Sequence, residues 1–350
     1  MDDDKDQKQL EEELAQAEHD RVRTMVTFAI MLILLFLLFF YYGLRALEMA
    51  SQKPMTRGDI TLRYGHEDLL EYQGRSYRRR RDATAILILG IDDADDTEIS
   101  PYRRGGQADF LCLMIFDDAE KTITPVQIDR DSIAPVTVLG VLGNEAGIRD
   151  TQISLAHSFG ADEAQRCQLT LDAVSRLLSG IKPDAFISFS LGAIASINDL
   201  AGGVTVTLDE DFTRFDPAMT VGTTMTLRGQ QAEYYVRGRL GIGDGSNTER
   251  MARQQRYLSA LIDRLADRVR EGATSVNTLY DRLSRYLFSD LSKSKLVNTA
   301  WSARDYLQNP VLSLPAEIEE DSNGFPAVHV ASEQAMDMLI PLLYKEISSN

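Results

Sequence analysis

Tyr235-Val236-Arg237-Gly238-Arg239 is followed by glycines at 241, 243 and 245 around Asp244, and then by Arg250, Arg253 and Gln254. Arginine presents a planar fork of donors that matches phosphate oxygens. Arg237 and Arg239, two residues apart, share one side of the chain if that segment is extended. Asn247 or Thr248 can cap a following helix, which puts Arg250 and Arg253 in its first turns, where free backbone N–H groups already favour an anion. Arg250 and Gln254 border the apolar stripe that starts at Met251, so they are expected to face inward. The glycine loop is expected to be flexible. This constellation calls for a phosphate or pyrophosphate; salt bridges between helices are the alternative.

Carboxylates stand at three further places. Asp92 and Asp93 follow the apolar run ending in Gly90-Ile91, and Asp109 opens the next apolar run after Gly105-Gly106. Acids at the ends of adjacent buried strands lie where α/β sheets place ligands, and Asp92 with Asp109 could share a hard divalent cation such as Mg2+ or Mn2+. Ordinary turn acids are the alternative. Asp129-Arg130-Asp131 follows a third strand; Arg130 reads either as a member of an ion-pair network or as a phosphate ligand held by the two acids. His157 is a candidate general base or a packing residue. Cys112 and Cys167 are expected to be buried free thiols. Two cysteines and four scattered histidines offer no Cys/His metal cluster. The chain has neither a Gly-x-x-x-x-Gly-Lys-Ser/Thr loop nor a Gly-x-Ser-x-Gly elbow, which argues against ordinary nucleotide hydrolysis and serine hydrolysis.

The elements that must position these groups read as an α/β pattern. A hairpin is expected over 58–82, with Gly65 and Gly74 as turns and the basic run Arg78–Arg81 as a solvated or membrane-facing edge. Buried strands are expected at 85–91 and 110–116, an alternating strand at 122–128, and further strands at 185–189 and 204–208. Helices are expected at 161–179, 191–200, 248–269 and 332–347. The stripe Met251, Leu258, Leu261, Ile262, Leu265 and Val269 gives the longest helix one apolar face. Residues 308–330, with three prolines, are expected to be irregular.

The chain has 350 residues and a formal net charge of -16. That charge opposes a duplex-binding face, so no nucleic-acid partner is expected. Residues 25–44 (MVTFAIMLILLFLLFFYYGL) carry no charge, and at ~1.5 Å per residue they match one hydrocarbon core. The expected organisation is a cytoplasmic head at 1–24, a single transmembrane helix at 25–44, a juxtamembrane linker and hairpin at 45–81, a catalytic domain at 82–270, and a helical or irregular extension at 271–350. Arg21 and Arg23 beside the span favour a cytoplasmic N-terminus and an extracellular C-terminal domain, although the Lys/Arg count across the span is nearly even.

Taken in order, Leu89-Gly90-Ile91-Asp92, Gln107-Ala108-Asp109, Asp129-Arg130-Asp131, Ala201-Gly202-Gly203-Val204, Arg237-x-Arg239 and Arg250-x-x-Arg253-Gln254 resemble the LytR–CpsA–Psr family. The resemblance covers roughly 82–270. It implies a central mixed β-sheet flanked by helices. It also implies a membrane-anchored enzyme, mostly of Gram-positive bacteria, that moves an anionic glycopolymer such as teichoic acid or capsule from a polyprenyl-pyrophosphate carrier to peptidoglycan. Carried onto this chain, it makes Asp92 and Asp109 the ligands of a magnesium ion. Arg130, Arg237, Arg239, Arg250 and Arg253 become pyrophosphate ligands, Gln254 adjoins them, and Asp244 lies in a loop that holds a further acid. An apolar pocket takes the lipid tail. The chain departs from the family at Gln107-Ala108 (usually Arg followed by Ser or Thr), at Asp129 (usually Pro), and at Ser154-Leu155-Ala156-His157 (usually Asn-His-Ala). The implied chemistry is phosphoryl transfer aided by Arg130 and Arg250, with Asp92 or Asp109 as the proton acceptor. The rivals are a non-catalytic envelope regulator or scaffold and a polyprenyl-pyrophosphate phosphatase.

Overall fold

A computed structural model describes residues 69–92, 105–239, 241–320 and 326–347. The expected head, membrane span and linker up to residue 68, together with Asp93, lie outside the described residues. No helix among the described residues is long and apolar enough to cross a membrane.

The described chain opens with the hairpin β1 (Leu69–Tyr72) and β2 (Arg75–Arg79). Gln73 and Gly74 turn it at φ 49° and 73°, as a two-residue hairpin turn requires. The basic run is more than a solvated edge. Arg79 bonds Asp184 at 2.8 Å, and Arg80 grips Asp117 with both Nη atoms at 2.7 and 2.9 Å. Burial works against the Asp117 carboxylate, but the Arg80 fork and two backbone N–H groups outweigh it and hold its pKa below the ordinary aspartate value.

β3 (Ala83–Ile91), β4 (Ala108–Asp117) and β5 (Thr122–Ile128) form an antiparallel meander. β6 (Ile133–Leu139) and β7 (Glu145–Gln152) form a hairpin beyond it. α1 (Glu163–Leu177) then leads to β8 (Ala185–Ser190), which returns parallel to β3. A 3₁₀ turn and α2 (Ile194–Leu200) precede the β9 (Val204–Thr207) and β10 (Thr224–Leu227) pair. α3 (Gln230–Arg237) and α4 (Asn247–Arg270) carry the arginine-rich segment. The chain continues through α5 (Ala273–Leu283), β11 (Leu287–Ser289) and α6 (Lys293–Ser302). Short strands β12 (Leu307–Gln308) and β13 (Leu312–Ser313) join β5, and β14 (Ala316–Glu320) pairs with β15 (Pro326–Val330). α7 (Ser332–Leu343) and β16 (Tyr344–Glu346) end the described chain, with β16 completing the first hairpin's sheet.

The main sheet runs β11-β8-β3-β4-β5-β12, with β13 also on β5. It mixes parallel and antiparallel pairs, so the fold is α/β with a central mixed sheet between helices. Period-two alternation in β4 explains its two layers. Leu111, Leu113 and Ile115 face a core completed by Leu171 and Val174 of α1 and by Leu339 and Leu343 of α7. Cys112 and Met114 face the other way, toward Leu258 and Ile262 of α4. Both cysteines are buried and free.

Two expectations are corrected here. Residues 230–237 are helical, so Arg237 ends a helix and does not share an extended face with Arg239. The stretch 308–330 is not irregular throughout: its prolines fall between or at the ends of short strands, where they cost no ladder hydrogen bond.

Candidate functional site

α4 meets the β3–β4 face only in part. Between them lies a cavity of about 390 Å³, walled by Ile88, Phe110, Met114 and Phe116 from the sheet and by Tyr257, Leu258, Leu261, Ile262 and Leu265 from the helix. Much of the apolar stripe of α4 therefore lines this cavity. Its charged lining residues are Asp109, Arg237 and Arg250. Asp109 opens β4 and Arg250 lies in the first turn of α4, so charge gathers where both elements begin and the wall beyond is hydrocarbon.

The start of α4 is built by local chemistry. Ser246 is its N-cap, accepting from the Glu249 N–H at 3.1 Å, in place of the expected Asn247 or Thr248. The Glu249 side chain reaches back to the Asp244 N–H at 2.8 Å, and Asp244 Oδ1 accepts from Ser246 N at 2.6 Å. The glycine loop is thus a hydrogen-bonded turn rather than a flexible tether. Gly243 sits at φ +51°, a conformation that L side chains rarely adopt, and a Cβ there would displace the Glu249 carboxylate from the turn. Asp244 is exposed and occupied with this turn, and Arg239 is exposed with its Nε on the Gly245 carbonyl at 3.0 Å. Neither lines the cavity.

Arg250 is buried (7 % exposed). Its Nη2 donates to Asn247 Oδ1 at 2.6 Å, while its Nε is buried with no hydrogen-bond partner. Burial pulls its pKa below the ordinary arginine value. Leaving a charged donor unmet in this way costs about 1–3 kcal/mol or more. Asn247 continues the chain of contacts, donating to Asp129 Oδ1 at 2.7 Å. Burial raises the Asp129 pKa.

Arg130 donates to Asp109 and, at 2.9 Å, to Gln107 Oε1. Its Nε lies 3.4 Å from Asp131 Oδ1. Asp131 backs it as expected, whereas Asp129 turns to Asn247. Arg237 bonds Asp92 at 2.7 Å and Glu233 at 2.8 Å. Burial raises the Asp109 pKa; the charge of Arg130 opposes this most and that of Asp92 adds to it. Asp92, Asp109, Arg130, Arg237 and Arg250 therefore form one electrostatic cluster. Gly106 delivers Asp109 to it: a Cβ there would sit 1.8 Å from the Asp92 carbonyl oxygen, so only glycine lets the two segments meet.

Arg253 is placed differently from the expectation. It is 2 % exposed, and its nitrogens engage Glu210, the Tyr235 carbonyl at 3.0 Å and the Gly238 carbonyl, with Phe212 beneath it. All three of its nitrogens are engaged in holding the C-terminal end of α3 against α4. Gln254 lines the cavity but is tied to Gln127 at 2.9 Å and to the Val236 carbonyl. Asn247, Glu233 and Glu210 were not foreseen. Asn247 was visible only as a cap candidate, and Glu210 lies too far along the chain for spacing to pair it with Arg253.

His157 is fully buried and does not face the cavity. The expected lack of a Cys/His metal cluster is corrected: His157, Glu163 and Cys167 converge, with ligand-type atoms within 4.8 Å of one another.

No curated protein matches the sequence. Among solved structures, gbs0355 from Streptococcus agalactiae is 18% identical, with a TM-score of 0.60 over 75% of this chain and 86% of that one. B. subtilis TagT is 21% identical, with a TM-score of 0.55 over 80% and 95%. A structure of TagT bound to LI-WTA is 23% identical, with a TM-score of 0.55 over 75% and 90%. These likenesses establish the fold. The model of the LytR_cpsA_psr family matches residues 50–341. That is most of the chain, and the protein belongs to the LytR_cpsA_psr family.

Proposed function

We propose that this protein is a membrane-anchored phosphotransferase that moves an anionic glycopolymer from a polyprenyl-pyrophosphate carrier to peptidoglycan. The observation that carries this reading is the buried, partnerless Nε of Arg250 at the charged end of an apolar cavity. A diphosphate ester with a long hydrocarbon tail has the matching halves. The fold's relative TagT has been seen bound to LI-WTA and to LIIa-WTA.

Arg250, Arg130 and Arg237 would bind the phosphate oxygens and stabilise the charge that builds on them during transfer. The cavity would hold the tail and keep water from the carrier end. An acceptor hydroxyl attacks the polymer-side phosphorus; the new P–O bond forms as the bond to the leaving polyprenyl phosphate breaks. The hydroxyl proton passes to a carboxylate. Asp109 is the favoured acceptor, because it lines the cavity at its charged end and burial raises its pKa. Arg239 is exposed outside the cavity, where a contact to the polymer is open to it.

The residues present also fit a hard divalent cation. Asp92 and Asp109 offer oxygen donors only, and the site's arginines already face at least as many carboxylates, so a bound diphosphate would leave negative charge in excess. Asp92 and Asp109 would hold magnesium or manganese, which supplies compensating positive charge when bound. The uncharged stretch 25–44 would anchor the domain, with the N-terminus cytoplasmic and the domain on the outer face.

Product analysis tests the reaction. The full-length protein, a polyprenyl-pyrophosphate glycopolymer and peptidoglycan fragments should yield polymer joined to glycan through a phosphodiester, together with polyprenyl phosphate. Release of polymer phosphate to water at the same rate with or without peptidoglycan would instead show a phosphatase. No turnover at all would favour a scaffold.

A further inference from the structure

On the opposite side of the sheet from the cavity, α1 begins among three side chains unrelated to the arginine cluster. Glu163 and Cys167 stand four residues apart and so share one face of α1. His157 meets them from the preceding 3₁₀ turn. His157 Nε2 lies 3.2 Å from Glu163 Oε1 and 3.7 Å from Cys167 Sγ, and the sulfur lies 3.6 Å from the same carboxylate oxygen.

The other ring nitrogen fixes the orientation of the ring. His157 Nδ1 lies 2.9 Å from the Gly106 carbonyl oxygen, which can only accept. Nδ1 therefore carries a proton, which leaves Nε2 as the ring atom that can ligate. Nε2, the Glu163 carboxylate and the Cys167 sulfur lie within 4.8 Å of one another. Metal-bound histidines are oriented by the same kind of contact from the far nitrogen to a carbonyl.

We propose that His157, Glu163 and Cys167 form a site for a borderline-soft divalent metal ion of the zinc class. The three distances carry this further than proximity alone. Ligand bonds of zinc at a tetrahedral angle would set nitrogen and oxygen about 3.3 Å apart and sulfur about 3.5 Å from each. The measured triangle has nearly these edges, so an ion could enter with little movement of the side chains. Ser188 Oγ, 2.9 Å from the Glu163 oxygen, steadies the carboxylate from β8. His157 and Cys167 are fully buried, but the Glu163 side chain is 35% exposed and gives a path from solvent. Water or a rearranged Ser188 would fill the fourth position. On binding, the Cys167 S–H bond breaks, the sulfur bonds the metal as thiolate, and the proton leaves to solvent.

Occupancy would tie α1 to the Gly106 segment. That segment meets Asp92, whose N–H donates to the Gln107 carbonyl at 2.9 Å, and leads into Asp109. The site is thus structural in character and does not depend on the proposed transfer reaction.

Cobalt titration of the full-length protein in detergent tests it, because cobalt reports both geometry and sulfur ligation. The expected result is one equivalent of Co2+ with tetrahedral visible bands and a thiolate-to-cobalt charge-transfer band. Stoichiometric Zn2+ should displace it, and excess Mg2+ should not. Cys167→Ser should abolish the charge-transfer band, Glu163→Gln should weaken binding at least tenfold, and Cys112→Ser should leave both unchanged. A wild-type spectrum without the thiolate band, or one that survives in Cys167→Ser, overturns the proposal. Glu163 reaches the surface, so Glu163→Gln serves as the deciding variant if Cys167→Ser does not fold. Unchanged cobalt affinity in Glu163→Gln also overturns it.

Discussion

Arg250 and Arg253 stand three residues apart on one helix, both buried, yet one has a nitrogen without a partner and the other has all three nitrogens engaged. Arg253 is spent on Glu210 and two backbone carbonyls, whereas the Nε of Arg250 meets nothing. Position along α4 makes the difference. Arg253 points at the segment that follows α3, and Arg250 points to where the cavity meets Asn247 and Asp109.

The two arginines should therefore separate stability from binding. Removing Arg253 as Arg253→Met strands Glu210 and two carbonyls, and breaking a buried pair in this way costs about 3–5 kcal/mol. Arg250→Ala should cost far less, because it relieves an unmet charge while losing one bond. Urea or thermal melts of the two variants check this ordering. Equal losses would place both arginines in the scaffold.

Activity should rank them the other way. Arg250→Ala is expected to lower transfer by about 10²-fold or more, the scale of one lost donor to a developing anion. Arg250→Lys should not restore it, since an ammonium lacks the planar fork. Turnover within twofold of wild type in Arg250→Ala would misplace the site.

The cavity makes a prediction about chain length. A tryptophan at Ile262 would fill part of its wall. Long polyprenyl carriers should then lose affinity, while carriers with a short tail keep theirs. KM measured across a series of tail lengths reads this, and an equal change for every length would show that the tail lies elsewhere.

The Arg80–Asp117 pair gives a pH-dependent stability. The folded-state pKa of Asp117 is lowered, so its contribution is present above the unfolded aspartate value near ~3.9 and is lost as pH falls through the folded value. Asp117→Asn should therefore lower Tm at neutral pH, by the equivalent of about 1–3 kcal/mol. The gap to wild type should close as pH falls below ~3.9. A gap independent of pH would mean that packing, not charge, holds the pair together.

Buried strands were legible because β3 and β4 are continuous apolar runs, and α4 because its stripe repeats at helical spacing. β7 was not: Glu145–Gln152 is mostly exposed and polar, and it is a strand only because β6 lies beside it. α3 was misread because Tyr235-Val236 suits a strand, and tertiary packing of Tyr235 and Val236 against the β9–β10 pair decided otherwise. Within the site, Asp92, Asp109, Arg130, Arg237 and Arg250 were legible as charges at element ends. What separates Arg250 from Arg253 was not, because it depends on Glu210, which is distant in sequence. The His157–Glu163–Cys167 cluster was missed for a similar reason: it depends on how a 3₁₀ turn meets α1, which spacing alone does not give.

The proposed transfer requires a diphosphate lipid at the charged end of the cavity. A crystal structure with a polyprenyl pyrophosphate or its monophosphate tests that directly. Phosphate oxygens should lie within hydrogen-bond distance of Arg250 Nε and the Arg130 and Arg237 guanidinium groups, with the tail between Phe110 and Met114 of β4 and Leu258 and Ile262 of α4. A lipid bound elsewhere, with the cavity vacant and Arg250 Nε still unmet, would contradict it.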